Sequence, residues 1–236
     1  MQSQKQYIIR PHDAGGNTPA SKCGPGWLIA AIIIGVVLAD QMIKIWVKTH
    51  FYLGEDLEIF SLFHLKFIEN NGMAFGIELW SKLLLTLGRI AAVIVFIWFL
   101  VKIKNLSTLR NGFLVAVALI TAGAAGNIFD CVFYGEIFNN PMPPQIAQVF
   151  PVGGGYSGWF EGRVVDMFYF PLFEFIWPDW IPGVGGTEFE FFAYIFNLAD
   201  ASICIGVFLL ILFYSRDFSQ AYAYIASPKE KKGQHK

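Results

Sequence analysis

The chain has 236 residues, of which 55% are hydrophobic, 17% aromatic and only 15% charged, with a formal net charge of −1 and a mean hydropathy of +0.50. That apolar share is more than a water-facing surface tolerates, so an integral membrane protein is expected. The lysines fall mainly at the chain ends and leave no basic stripe for a nucleic acid, while Cys23, Cys131 and Cys204 are too few and too scattered for a disulfide framework or a paired zinc site.

Taken in chain order, a basic tail (1–25, with Lys5, Arg10 and Lys22) precedes a first apolar stretch at about 26–47. Its length suits a spanning helix, and no small-residue cleavage pattern marks it as a signal to be removed. Asp40, Gln41 and Lys44 lie in its last two turns. The segment at about 49–80 contains LEIFSLFHLKFIENNGMAFGI, whose partial alternation predicts short strands at the membrane interface. A second helix is expected at about 82–101, interrupted by Arg89, and a third at about 113–133, ending TAGAAGNIFDCVF. The long connection at about 135–190 is rich in Pro, Gly and aromatic residues and holds Arg163 as its one basic residue among seven acidic ones. A fourth helix is expected at about 191–214, followed by a basic tail, 215–236. The positive charges before the first helix, between the second and third and after the fourth assign those segments to the cytoplasm. The expected fold class is an all-α membrane protein of four transmembrane helices forming a single domain over 1–236. A small β-rich segment outside the membrane joins helices 1 and 2, and a long external loop joins helices 3 and 4.

An ionisable group inside a span is costly and marks function by default. The orientation brings Asp40, Asp130 and Asp200 to the outer ends of three helices, with Asp166 in the external loop, so four carboxylates share one depth. Two carboxylates close together in a low dielectric share a proton and can act as acid and base toward an amide. Asn127 and Asn197 each precede an aspartate by three residues, on the same helix face, and Asn70 precedes Gly72 outside the membrane. Gly123, beside Ala122, Ala124 and Gly126, permits close approach of another backbone. Other readings remain open at this level. Asp166 alone reads as a solvated loop carboxylate, Asp200 as a polar group joining helices, and Lys44 as a side chain extending to the interface. Cys131 reads as packing, because no histidine is placed as its base. A proton-coupled transporter would also carry such groups, but they would be staggered through the bilayer.

The motifs DQMIK (40–44), NNGMAF (70–75), AGAAGNIFD (122–130), VVDMF (164–168) and FNLADASI (196–203), in this order on a four-helix layout, resemble the bacterial lipoprotein signal peptidases, or signal peptidase II. The resemblance implies an aspartic endopeptidase with Asp166 and Asp200 as the catalytic pair. Asn127, Asp130 and Asn197 would shape the site, and Asp40, Lys44, Asn70, Gly72 and Gly123 would support it. It also implies no metal or cofactor, lipid-modified prolipoprotein substrates within membrane lipid, inhibition by globomycin, a monomer, and a site near the outer face of the bacterial cytoplasmic (inner) membrane. Two departures stand out. Cys131 occupies a position where the family has arginine, for which Arg163 is the expected stand-in. The loops around Asp166 are long and suggest a lid or a partner surface.

Overall fold

The computed structural model describes residues 25–71 and 82–227; Gly72 and both chain ends lie outside the described residues. Helices α1 (Pro25–His50), α2 (Lys82–Ile103) and α3 (Asn111–Ile137) are each long and apolar enough to cross a membrane. The order of elements is α1, strands β1 (Asp56–Phe60) and β2 (Phe63–Asn70), α2, α3, β3 (Val164–Tyr169), β4 (Phe173–Ile176), β5 (Glu188–Phe191), β6 (Ile195–Phe196), α4 (Leu198–Phe213) and α5 (Ser215–Ala226).

The expected fourth span, 191–214, is helical only from Leu198 to Phe213. Asn197 takes extended backbone angles (φ −120°, ψ 178°), and its side-chain oxygen accepts the N–H of Asp200 at 2.9 Å, an N-cap that fixes where the helix starts. Sixteen residues rise about 24 Å, short of the roughly 30 Å hydrocarbon core. After Tyr214 the chain turns by 91° into α5, so the two helices form one broken apolar unit. Arg110 holds this corner: its backbone N–H reaches Asp217 Oδ1 and its Nε reaches Oδ2, both at 3.0 Å, while its guanidinium lies 4.6 Å from the Tyr214 ring centre.

Strand structure extends further than an all-α chain with one β-rich connection. A four-stranded antiparallel sheet runs β1–β2–β3–β6, and β4 and β5 form a separate hairpin. The long connection therefore supplies four of the six strands among the described residues. The reason is visible in VVDMFY, which sits between β2 and β6 with both faces covered and so needs no polar alternation. Val165 and Met167 point into a core with Val47, Phe51, Phe67, Tyr134 and Phe138, and Asp166 between them takes the opposite face.

Helix α3 is the central post, packed against α4, α1 and α2. At its far end a second core gathers Ile29, Leu100, Ile103, Phe113, Leu114 and Val117. A Cβ at Gly123 would collide with the carbonyl oxygen of Ala199 in α4, so only glycine lets the two backbones meet there. Gly123→Leu should destabilise the protein by about 1–3 kcal/mol or more through overpacking, measured as thermal unfolding in detergent. Gly88→Ala on α2, where nothing lies within 4 Å, should leave it unchanged or slightly more stable.

Candidate active site

Alternation along β3 turns Asp166 away from the aromatic core and toward the start of α4, where Asp200 occupies the first turn. Two asparagines join these carboxylates. Asn197 Nδ2 donates to Asp166 Oδ1 at 2.6 Å, and Asn127 Nδ2 donates to Asp200 Oδ1 at 2.7 Å. Asn197 Nδ2 also lies 3.2 Å from Asn127 Oδ1, closing a chain Asp166–Asn197–Asn127–Asp200 across β3, α3 and α4. Amides can hold both carboxylates without adding charge to either. Asp166 is 2% exposed, whereas Asp200 is half-buried. Burial, and then the Asp200 charge, push the Asp166 carboxyl up to about 7.

Beneath this chain lies a buried charged centre. Lys44, fully buried, places Nζ 2.7 Å from Asp130 Oδ2 and 2.9 Å from Asp40 Oδ2, and donates to Asn127 Oδ1 at 2.8 Å. All three donors of the ammonium are thereby satisfied. The remaining carboxylate oxygens are used as well. Asp40 Oδ1 accepts the N–H of Ala199 at 2.9 Å in the first turn of α4. Asp130 Oδ1 accepts from Gln41 Nε2 at 2.8 Å, and Asp130 Oδ2 accepts the N–H of Val165 at 3.3 Å. The centre thus ties α1, α3, α4 and β3 together directly beside Asp166.

The sequence-predicted residues Asp40, Lys44, Asn127, Asp130, Asp166, Asn197 and Asp200 are brought into one connected network. Asn70 ends β2 opposite Val164, two residues from Asp166; Gly123 lies at the α3–α4 contact against Ala199, the residue before Asp200. Arg163, expected to stand in for an arginine at position 131, is bound to Glu69 at 3.0 Å and stacks 5.1 Å from the Tyr156 ring centre. The guanidinium that reaches position 131 is that of Arg89, whose Nη1 lies 3.2 Å from Cys131 Sγ.

Gln41, Lys48 and Glu69 complete the network beyond the residues expected at the site. Gln41 bridges Asp130 and the Tyr134 hydroxyl. Lys48 forms a buried pair with Glu69 beneath the rings of Phe67, Phe138 and Tyr156. Asp40, Lys44 and Lys48 recur every four residues on one face of α1, a signal that could have revealed Lys48. Among the described residues, no group of three His, Cys, Asp or Glu side chains is spaced to hold a metal ion.

Residues 32–216 match the family model for signal peptidase (SPase) II. The lipoprotein signal peptidase of Porphyromonas gingivalis is 50% identical over 199 residues, covering 84% of this chain and 88% of that protein. That of Amoebophilus asiaticus is 38% identical over 195 residues, covering 79% and 77%. Among solved structures, a bacterial membrane enzyme determined by the in meso method at 2.3 Å resolution superposes with a TM-score of 0.55, covering 89% of this chain and 95% of that one, at 24% identity. This last likeness is one of fold.

Lys44→Met should leave Asp40 and Asp130 buried without their cation and cost about 3–5 kcal/mol, read as a lowered unfolding temperature in detergent. For Asp166 the sign is opposite. Between its ordinary carboxyl range and about 7 the folded protein keeps a proton that the unfolded chain has released, so stability falls as pH rises through that window. Asp166→Asn should remove this decline, and its gain over the parent should be larger at pH 8 than at pH 5.

Proposed function

The chain belongs to the signal peptidase II family, and on that premise we propose that it is an intramembrane aspartic endopeptidase. It removes signal peptides from diacylglyceryl-modified prolipoproteins, cutting before the lipidated cysteine. The observation that carries this reading is the amide chain Asp166–Asn197–Asn127–Asp200, which joins two carboxylates from different elements through uncharged groups.

The two carboxylates have unlike surroundings, and that difference assigns their roles. Asp166 is buried, and its carboxyl, pushed up to about 7, keeps a proton near neutral pH. Asp200 is half-exposed in the first turn of α4, where the helix N-terminus favours negative charge. Asp200 takes a proton from water, whose oxygen adds to the scissile carbonyl carbon, while Asp166 gives its proton to the carbonyl oxygen. Asp200 then delivers its proton to the leaving nitrogen as the C–N bond breaks. Asp166 recovers a proton from the diol hydroxyl, so both groups return to their starting states. Lys44, Asp40 and Asp130 touch no reacting atom in this scheme; they fix Asn127, the start of α4 and β3, on which the geometry depends.

The basic residues at the chain ends and between α2 and α3 support cytoplasmic termini, with the carboxylates near the outer face of a bacterial cytoplasmic membrane. Purified protein should cleave a diacylglyceryl prolipoprotein in detergent, and globomycin should inhibit it. Asp166→Asn and Asp200→Asn should each lower kcat by about 100-fold or more, and the parent's kcat should fall above pH 7 as Asp166 loses its proton. Cleavage at the parental rate in both variants would overturn the assignment.

A further inference from the structure

The hairpin β4–β5 takes no part in the peptidase scheme. Its strands pair Phe173 with Phe191, Glu174 with Glu190, Phe175 with Phe189 and Ile176 with Glu188. Because side chains alternate between faces, the aromatic residues fall on one face and three carboxylates on the other. On the first face the rings form a ladder. Phe173 and Phe191 stack at 4.6 Å with their planes 5° apart, Phe175 and Phe189 lie 5.0 Å apart, and Trp177 sits 4.8 Å from Phe175. The second face holds Glu174, Glu188 and Glu190 with Ile176.

A two-stranded hairpin is marginal by itself in water, and among the described residues its main packing partner is its own second strand. Its recorded tie to the four-stranded sheet is the hydrogen bond from the Tyr169 hydroxyl to Glu190. The aromatic face is nevertheless open: Phe173 is 52% and Phe191 44% exposed. An exposed aromatic surface of this kind needs a cover.

The position of the hairpin names the cover. β5 leads through exposed Phe192 and Tyr194 into β6 and α4, whose Ile205, Phe208, Ile211 and Leu212 are exposed as a lipid-facing side would be. The ladder is therefore continuous along the chain with an apolar helix surface, at the helix end where aromatic rings with polar tips favour the headgroup region. Charge narrows the choice further. No Lys or Arg occurs between Arg163 and Arg216, while Asp166, Glu174, Asp179, Glu188, Glu190 and Asp200 do. This stretch has nothing to attract an anionic headgroup.

We propose that the β4–β5 hairpin is a membrane-docking element that lays its aromatic face into the zwitterionic headgroup–acyl boundary of the outer leaflet and turns Glu174 and Glu188 to water, while Glu190 stays bound to Tyr169. It anchors the segment between β3 and α4, the two elements that carry Asp166 and Asp200, at a fixed depth.

Single cysteines test this in the full chain, with Cys23→Ser and Cys204→Ala and the buried Cys131 retained. Phe173→Cys, Phe175→Cys and Phe191→Cys report one face, and Glu174→Cys and Glu188→Cys the other. Each is nitroxide-labelled and reconstituted in phosphatidylcholine nanodiscs. The aromatic-face labels should relax with oxygen in preference to a water-soluble nickel chelate, and the acidic-face labels the reverse. Equal nickel access at all five positions, or shielding of the aromatic face from both reagents as under a protein partner or a second copy, would overturn the proposal. A second measurement leaves both strands intact. Phosphatidylcholine brominated high on its acyl chains should quench part of the parent's tryptophan fluorescence that is absent in Trp177→Phe, and identical quenching in the two proteins would also count against docking.

Discussion

The site depends on one ammonium group. Lys44 is removed from water entirely, and the cost of doing so is offset only because Asp40, Asp130 and Asn127 accept hydrogen bonds from all three of its N–H groups. Each partner has a second commitment: Asp40 to the N-terminus of α4, Asp130 to β3 and Gln41, and Asn127 to Asp200. A shift in Lys44 would therefore move both elements that carry Asp166 and Asp200. Membrane packing supplies little hydrophobic force between helices, so a buried polar centre of this kind sets the relative positions of α1, α3 and α4 where apolar contact alone would be permissive.

A second buried ion group performs a similar service on the sheet side. Lys48, one turn beyond Lys44, binds Glu69, which also binds Arg163, and Arg163 immediately precedes β3. The register pairs Glu69 with Val165, next to Asp166. The two ion groups therefore restrain β3 from α1 at successive turns. This rigidity suits acid–base chemistry, which needs the two carboxylates held at a defined separation more than it needs either to move. Asp166 is the more deeply buried of the two carboxylates, and that burial is the first cause of its raised carboxyl.

Much of this was legible in the chain itself. Three apolar stretches fixed the long helices, because backbone groups in lipid must bond internally and only an apolar helix can do so. Carboxylates and amides at the ends of those stretches are costly there, and that cost is what made Asp40, Lys44, Asn127, Asp130 and Asp200 visible as a site. Asp166 was harder, since in a loop with seven acidic residues its sequence surroundings distinguish it only through the VVDMF motif.

What remained for the tertiary structure was every choice made between distant segments. The fourth stretch is apolar from 191 onward, yet the Asn197 cap and the pairing of β6 with β3 begin the helix at Leu198. Arg163 stands close to Asp166 in sequence but is held by Glu69, while Arg89, forty-two residues from Cys131, supplies the guanidinium there. Composition and periodicity determine which residues enter the membrane and which face of a helix they share, because those are local properties of 3.6- and 2-residue repeats. Partner choice among buried charges is not local: it is decided by which side chains the packed backbones bring within about 3 Å, and only the folded chain sets that.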